Sequence, residues 1–212
     1  MKDHRWEKNM KNVKKIIWII ITLVVAFVYA HVDKNYYIYD RYQDSSEYMA
    51  TGILKEGEKL SQEFRSQAEY IDGMNLKMSV YGDVSNVTVN YKLIDAESEK
   101  ILIEGNLNAE DIENNKFSHV KFEHKIEKAK NKLYLLELKE DGSDDTNGVG
   151  FSVGGYRKAT SGTTLEVKGN DIEGSLVFRI FKHGFDIETF VMFLAFVLYI
   201  VVFMKALYKL FK

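Results

Sequence analysis

The stretch "DGSDDTNG" at residues 141–148 brings together Asp141, Asp144, Asp145 and Asn147. Carboxylate and amide oxygens at that density are hard donors that suit Ca2+. The acids do not alternate as they do in an EF-hand loop, and the closing Glu is missing. A solvated hairpin loop accounts for the same residues. A structural calcium held by Asp141, Asp144 and Asp145 is the alternative, and no other cofactor is expected. Next along the chain, "GVGFSVGGYRKATSG" at 148–162 is rich in glycine. A phosphate-cradling loop runs from a strand into a helix N-terminus. Here both flanks read as strands, so the glycines mark bulges and a loop whose contact residues are Tyr156 and Arg157.

Catalytic chemistry finds little support. The five histidines are His4, His31, His119, His124 and His183. His119 and His124 are five apart, so on a strand they face opposite sides and cannot share a metal. There is no Cys, hence no thiol nucleophile, thiolate site or disulfide. No GxSxG, HExxH, P-loop or dinucleotide fingerprint is present. A non-enzymatic role is expected. Binding of a sugar would rest on aromatic platforms, and both Trp residues, Trp6 and Trp18, lie outside the middle of the chain. Tyr81, Tyr91 and Tyr156 remain. Tyr91 shares its parity with Val89 and Leu93, which assigns it to a core. Tyr81, Tyr156 and Arg157 are therefore the candidate ligand-binding residues.

The elements that must position these residues divide sharply by hydropathy. Residues 16–32, "IIWIIITLVVAFVYAHV", contain no charge, and neither do residues 189–204, "TFVMFLAFVLYIVVFM". Roughly 20 residues of helix cross a hydrocarbon core. A core helix of a small domain would keep a polar stripe, and neither run has one. The "VYA" at 28–30 could close a secretory signal, but no Gly or Pro interrupts the run before it, so the segment is expected to be retained as a span. Six Lys or Arg precede the first run (Lys2, Arg5, Lys8, Lys11, Lys14, Lys15), and Lys205, Lys209 and Lys212 follow the second. Positive flanks stay cytoplasmic. This predicts a two-pass protein of the cell membrane, with both flanks inside and the middle outside. The expected layout is a cytoplasmic segment at 1–15, spans at 16–36 and 185–206, a connector at 37–53, an extracytoplasmic domain at 54–184 and a cytoplasmic segment at 207–212. The connector should begin as a continuation of the first helix and then loop. The spans carry no buried charge or helix break, so they anchor and do not conduct.

Between the spans the period becomes two. "MNLKMSVYGD", "NVTVNYKLID", "KILIEGNL", "FSHVKFEHKI", "KLYLLELKE", "TTLEVKG" and "GSLVFRIF" alternate apolar and polar residues. Turn chemistry separates them at "YGDVSN", "DAESE", "DGSDDTNG" and "KGND". "NAEDIENN" should form a helical turn. The fold class is thus all-β outside, a β-sandwich of about seven to nine strands, with a jelly roll as its specific form, held between two transmembrane α-helices. A cysteine-free outer domain rich in Lys, Ile and Asn suits a bacterium, and the net charge of −2 excludes a nucleic-acid role.

"LKEGEKLSQEF" at 54–64 opens this domain with Gly57, Gln62 and Phe64, and Gly73 and Met74 follow. Together with "DIENNKF", "AKNKLYLLEL" and "GNDIEGSLVFRIF", these residues resemble a jelly-roll, carbohydrate-binding-module-like domain of Gram-positive membrane proteins. Such domains accompany cell-envelope polysaccharide glycosyltransferases. The resemblance covers residues 54–181. It implies an accessory subunit of a polysaccharide synthesis or export complex that binds a glycan, a partner protein or both. The partners expected are the lipid bilayer and either a polytopic membrane protein or further copies of the chain. Three other readings compete: a polysaccharide chain-length regulator, a subunit of a signalling or defence complex, and a membrane enzyme with an unrecognised site. The regulators carry a Pro-rich segment near the second span, and this chain has no Pro.

Overall fold

The computed structural model describes residues 3–155 and 164–212. The chain forms two compact units, residues 1–34 with 183–212, and residues 35–182. The first unit is helical. Helix α1 spans Asp3–Tyr29 and α2 spans Ile187–Leu210. Asp186 caps α2 by accepting the Thr189 N–H at 2.8 Å, which satisfies one of the N-terminal donors that a helix leaves free. Asp186 N–H donates to the carbonyl of Ala30 at 2.8 Å, just past the end of α1. Lys34 reaches Asp186 at 3.3 Å, and Asp33 pairs with His183 at 2.7 Å. Phe27 stacks on Phe185 and Tyr29 packs against Phe193, with centroids 5.4 and 5.1 Å apart. Most of the described side chains of α1 are exposed, Ala26 being a fully buried exception. No residue of α2 is buried, and Met192, Phe196 and Leu198 are 60–70% exposed. Both helices are long and apolar enough to cross a membrane.

The first helix stops at Tyr29, and strand β1 (His31–Tyr37) takes the place of the expected helical continuation to residue 36. The consecutive polar residues Asp33, Lys34 and Asn35 offer no apolar helical stripe. Extended, the segment pairs its backbone with the last strand of the chain instead. The connector is also structured. A 3-10 turn at Ser45–Glu47 and strand β2 (Met49–Ile53) follow, with an irregular register between Ala50 and Ile53 that hides the period in the sequence.

The second unit stacks two antiparallel sheets. Its further strands are β3 (Leu60–Arg65), β4 (Ile71–Tyr81), β5 (Thr88–Asp95), β6 (Ile101–Asn108), β7 (Lys116–Ile126), β8 (Leu133–Asp141), β9 (Gly148–Gly154), β10 (Leu165–Val167), β11 (Asn170–Asp171), β12 (Ser175–Leu176) and β13 (Phe178–Phe185). The first sheet follows β1-β13-β4-β9-β12, with β7 on the free side of β4 and β2 also paired to β9. The second runs β11-β10-β3-β8-β5-β6. All seven alternating segments of the sequence form strands, and the helical turn falls at Ala109–Asp111. Alternation explains the core. Tyr134, Leu136 and Leu138 of β8 point inward, as do Val89, Tyr91 and Leu93 of β5. They meet Met74, Leu76 and Met78 of β4 and Phe178 and Ile180 of β13 in one cluster. Phe64 stands edge-on to Phe178 across the sheets, with centroids 5.2 Å apart, and Tyr134 lies 5.7 Å to its side. The two-residue turn between β10 and β11 places Lys168 and Gly169 at φ 56° and 78°. Two left-handed residues are what a type I′ hairpin demands.

Phe64 is fully buried at the centre of this aromatic trio. Phe64→Ala is expected to cost about 3–5 kcal/mol through lost transfer energy and the cavity left behind. Thermal unfolding of the detergent-solubilised protein should show it as a drop of many degrees.

Candidate functional site

The outward positions of the first sheet form a surface unlike an ordinary solvated face. On β4 these are Asn75, Lys77, Ser79 and Tyr81. Register sets Asn75 beside His119 of β7 and Arg179 of β13, and Lys77 beside Phe117. The Arg179 guanidinium lies 4.5 Å from the Phe117 ring centre and 5.9 Å from that of Tyr37. Lys77 Nζ lies 6.0 Å from the same Phe117 ring and donates to the Asn115 carbonyl at 2.6 Å. Arg41 stands 5.5 Å from the Tyr37 ring and 4.7 Å from that of Tyr42. Cations over ring faces are attracted by the ring quadrupole. His119 stacks on Phe181 at 4.6 Å and donates to Asn75 Oδ1 at 3.0 Å. Gly73 permits this stack, because a Cβ there would sit 2.4 Å from the Phe181 ring.

The connector lies over β9 and carries Tyr39 and Tyr48 to the rim of this surface. Its course depends on small residues. A Cβ on Gly154 would press against Gln43 and Tyr48, and one on Gly150 would sit 2.7 Å from the Tyr81 ring. Hydrogen bonds pin it along its length. Ile38 N–H donates to Phe178 and Asp40 N–H to Gly155; Gly155 N–H donates to Gln43 Oε1, and Phe151 N–H to Thr51 Oγ1. Tyr39 and Tyr48 meet edge-on at 6.0 Å. Burial pushes the Tyr39 phenol up to about 12 despite the opposing pull of Arg179, and Tyr48 is likewise raised by burial. Both therefore remain neutral at any physiological pH. Between Tyr48 and Tyr81 opens a cleft of about 470 Å3, whose polar lining includes Lys77, Asn114, Asn115 and Ser152.

Of the residues singled out from the sequence, Tyr81 lies in this cleft, 37% exposed. Tyr156 and Arg157 fall outside the described residues. Tyr91 is in the core, as its parity required. The three aspartates do not converge. Asp144 turns its oxygens onto its own loop, accepting from the backbone N–H groups of Thr146 and Asn147 and from both their side chains, which holds its carboxyl well below the usual range. Asp141 accepts from Asn90 at 2.8 Å, and Asp145 pairs with Lys55. Among the described residues no three His, Asp or Glu side chains group as a metal site.

Sequence reasoning passed over two features. Arg179, Phe117 and Lys77 appeared only as the polar or off-phase members of alternating strands. Glu140 was also missed, although it continues the inward parity of Tyr134, Leu136 and Leu138. It is 1% exposed. Its Oε1 accepts the Leu54 N–H at 3.1 Å and its Oε2 the Val149 N–H at 2.8 Å. A carboxylate on the second sheet thus holds the backbone of β9 and of the residue just beyond β2. Ser143 and Lys168 complete the clamp by donating to the Leu54 and Ile53 carbonyls at 2.6 and 2.7 Å. Gln62 does comparable work elsewhere, donating to the Thr164 carbonyl and accepting the Leu176 N–H.

Comparison with known proteins adds no identity: no protein-family model matches the chain, and no curated protein matches it.

Burial is the main influence on Glu140 and pushes its carboxyl up from 4.5 to about 7. Between those values the folded chain holds a proton that the unfolded chain has released. Its contribution to stability is therefore full below about 4.5 and is lost as pH rises through 7. Glu140→Gln should remove this slope. An amide can accept only one of the two N–H groups, so the variant should also be less stable by about 1–3 kcal/mol. Thermal melts from pH 5 to 8 would check both, with the wild type losing more over the interval than the variant.

Proposed function

We propose that the protein is a two-pass, non-enzymatic component of a bacterial cell envelope, in which α1 and α2 span the membrane and the sandwich binds a glycan on the outer side. The observation that carries this reading is the exposure of the helices. Met192, Phe196, Leu198, Val202 and Met204 are each more than half exposed. Leaving five such side chains in water costs on the order of 10 kcal/mol. That equals the whole stability of an ordinary domain, about 5–15 kcal/mol. Lipid removes the cost. The basic flanks at 1–15 and 205–212 favour the cytoplasm, which leaves the sandwich outside.

Strand order supports a jelly roll as the form of the sandwich. Four strands in the order β2-β9-β4-β7 face four in the order β3-β8-β5-β6, and the chain passes from sheet to sheet as two interleaved Greek keys would. The aromatic and amide-lined cleft supports sugar binding, since a ring face stacks on Tyr while hydroxyls meet Asn and Ser. The shallow groove between Trp18 and Thr22 of α1 and Leu194 and Val201 of α2 suits a helix of a polytopic partner or of another copy. An accessory subunit of a polysaccharide synthesis or export complex unites these features.

The absence of native cysteine makes topology directly measurable. Ser98→Cys, in the exposed turn after β5, should react with a membrane-impermeant maleimide on intact cells. Lys212→Cys should react only after permeabilisation. The reverse pattern, or equal reaction at both sites before permeabilisation, would rule the arrangement out.

A further inference from the structure

Arg179 is the least satisfied group on the outer face of the first sheet. Its Nε is buried without a hydrogen-bond partner, and the guanidinium enters no ion pair among the described residues. Tyr39, whose phenol feels the guanidinium, is held neutral by burial. Lys77 shares the Phe117 ring with Arg179 and donates to a carbonyl and not to a carboxylate. The two cations thus stand on one aromatic ring without a counter-charge, and Lys77 also lines the cleft between Tyr48 and Tyr81. Several other lysines of the same domain do meet a carboxylate, as Lys55 does Asp145, Lys59 Glu137, Lys92 Glu104 and Lys182 Glu69. A partly buried cation without a partner is costly, and a planar guanidinium is suited to bidentate recognition of a carboxylate or phosphate.

We infer that the site takes an anionic saccharide: a sugar ring seated between Tyr48 and Tyr81, with a carboxylate or phosphate on it facing Lys77 and Arg179. This rests on the glycan-binding reading above and narrows it to acidic glycans. Asn114, Asn115 and Ser152 supply partners for the hydroxyls. The rings give apolar contact without demanding one sugar stereochemistry, so charge supplies most of the selectivity. Binding should weaken as salt rises, because the attraction reaches a partly solvated face.

The test uses the full chain in nanodiscs of uncharged lipid, titrated with four probes: oligogalacturonate, oligo(glycerol phosphate), maltohexaose and polyglutamate. At least one acidic saccharide should bind, and the carboxylate and phosphate probes decide which acid is preferred. Charge-assisted hydrogen bonds of about 1.5–3 kcal/mol correspond to roughly a 10- to 100-fold loss for Arg179→Gln. Lys77→Gln should lose less, and Lys130→Gln, at an exposed distant turn, nothing. Arg179→Lys keeps the charge but not the planar fork and should fall between wild type and Arg179→Gln. Thermal melts of each variant separate lost binding from lost folding, and Lys77→Gln still tests the site if Arg179→Gln does not fold. Maltohexaose binding as tightly as the acids, unchanged in Arg179→Gln, would overturn this inference and leave glycan binding standing. Polyglutamate binding as well as either acidic saccharide would remove the sugar from it. If none of the saccharides binds, both the inference and the glycan reading fall.

Discussion

A single buried carboxylate ties the two sheets together at the place where the connector joins the sandwich. Two backbone N–H groups, from Leu54 and Val149, meet the two oxygens of Glu140 and offset part of the cost of its burial. A buried charge without such partners would be expelled or neutralised. The bond pair fixes where β2 ends and where β9 begins. It thereby anchors the far end of the connector, while the bonds of Ile38, Asp40 and Gln43 hold the stretch that carries Tyr39 and Tyr48.

Steric permission is the complement of that clamp. The outward positions of β9 are Gly148, Gly150, Ser152 and Gly154, and side chains from elsewhere occupy the space that larger residues would need. Tyr81 lies against Gly150, Gln43 and Tyr48 against Gly154, and Ile53 and Glu140 against Gly148. A strand that looks like a weak, glycine-diluted segment acts as a floor on which other residues are laid. Its backbone stays fully engaged, with β4 and β12 along one part and β2 along another.

The sequence made the bulk of the sandwich readable because alternation and burial coincide there. "KLYLLELKE" became β8 with Tyr134, Leu136 and Leu138 inside, and "NVTVNYKLID" became β5 with Tyr91 inside. The connector was not readable. Residues 31–53 have no period because their order comes from long-range pairing with β9 and β13 and from an irregular register. Tyr81 could be proposed from its type and its place at a strand end. Arg179 could not, since one arginine on a strand looks like any solvated position until Phe117 arrives beside it from a segment 62 residues away in sequence. Glu140 could have been found: an acid on the apolar parity of a strand is a local contradiction, and such contradictions mark sites with a special role. The aspartates at 141–145 were legible as a polar hairpin loop, but oxygen density alone does not reveal that Asp144 spends its carboxylate on its own turn.

The adjacency of β1 and β13 has a mechanical corollary. The polypeptide leaves the sandwich through a strand hydrogen-bonded to the one by which it came in. A domain wired this way is a cassette: it can be spliced into the bend of a helical hairpin without prying the two helices apart, and swapped for another of like wiring. It also means that the two ends of the domain are held side by side by a single ladder of backbone bonds.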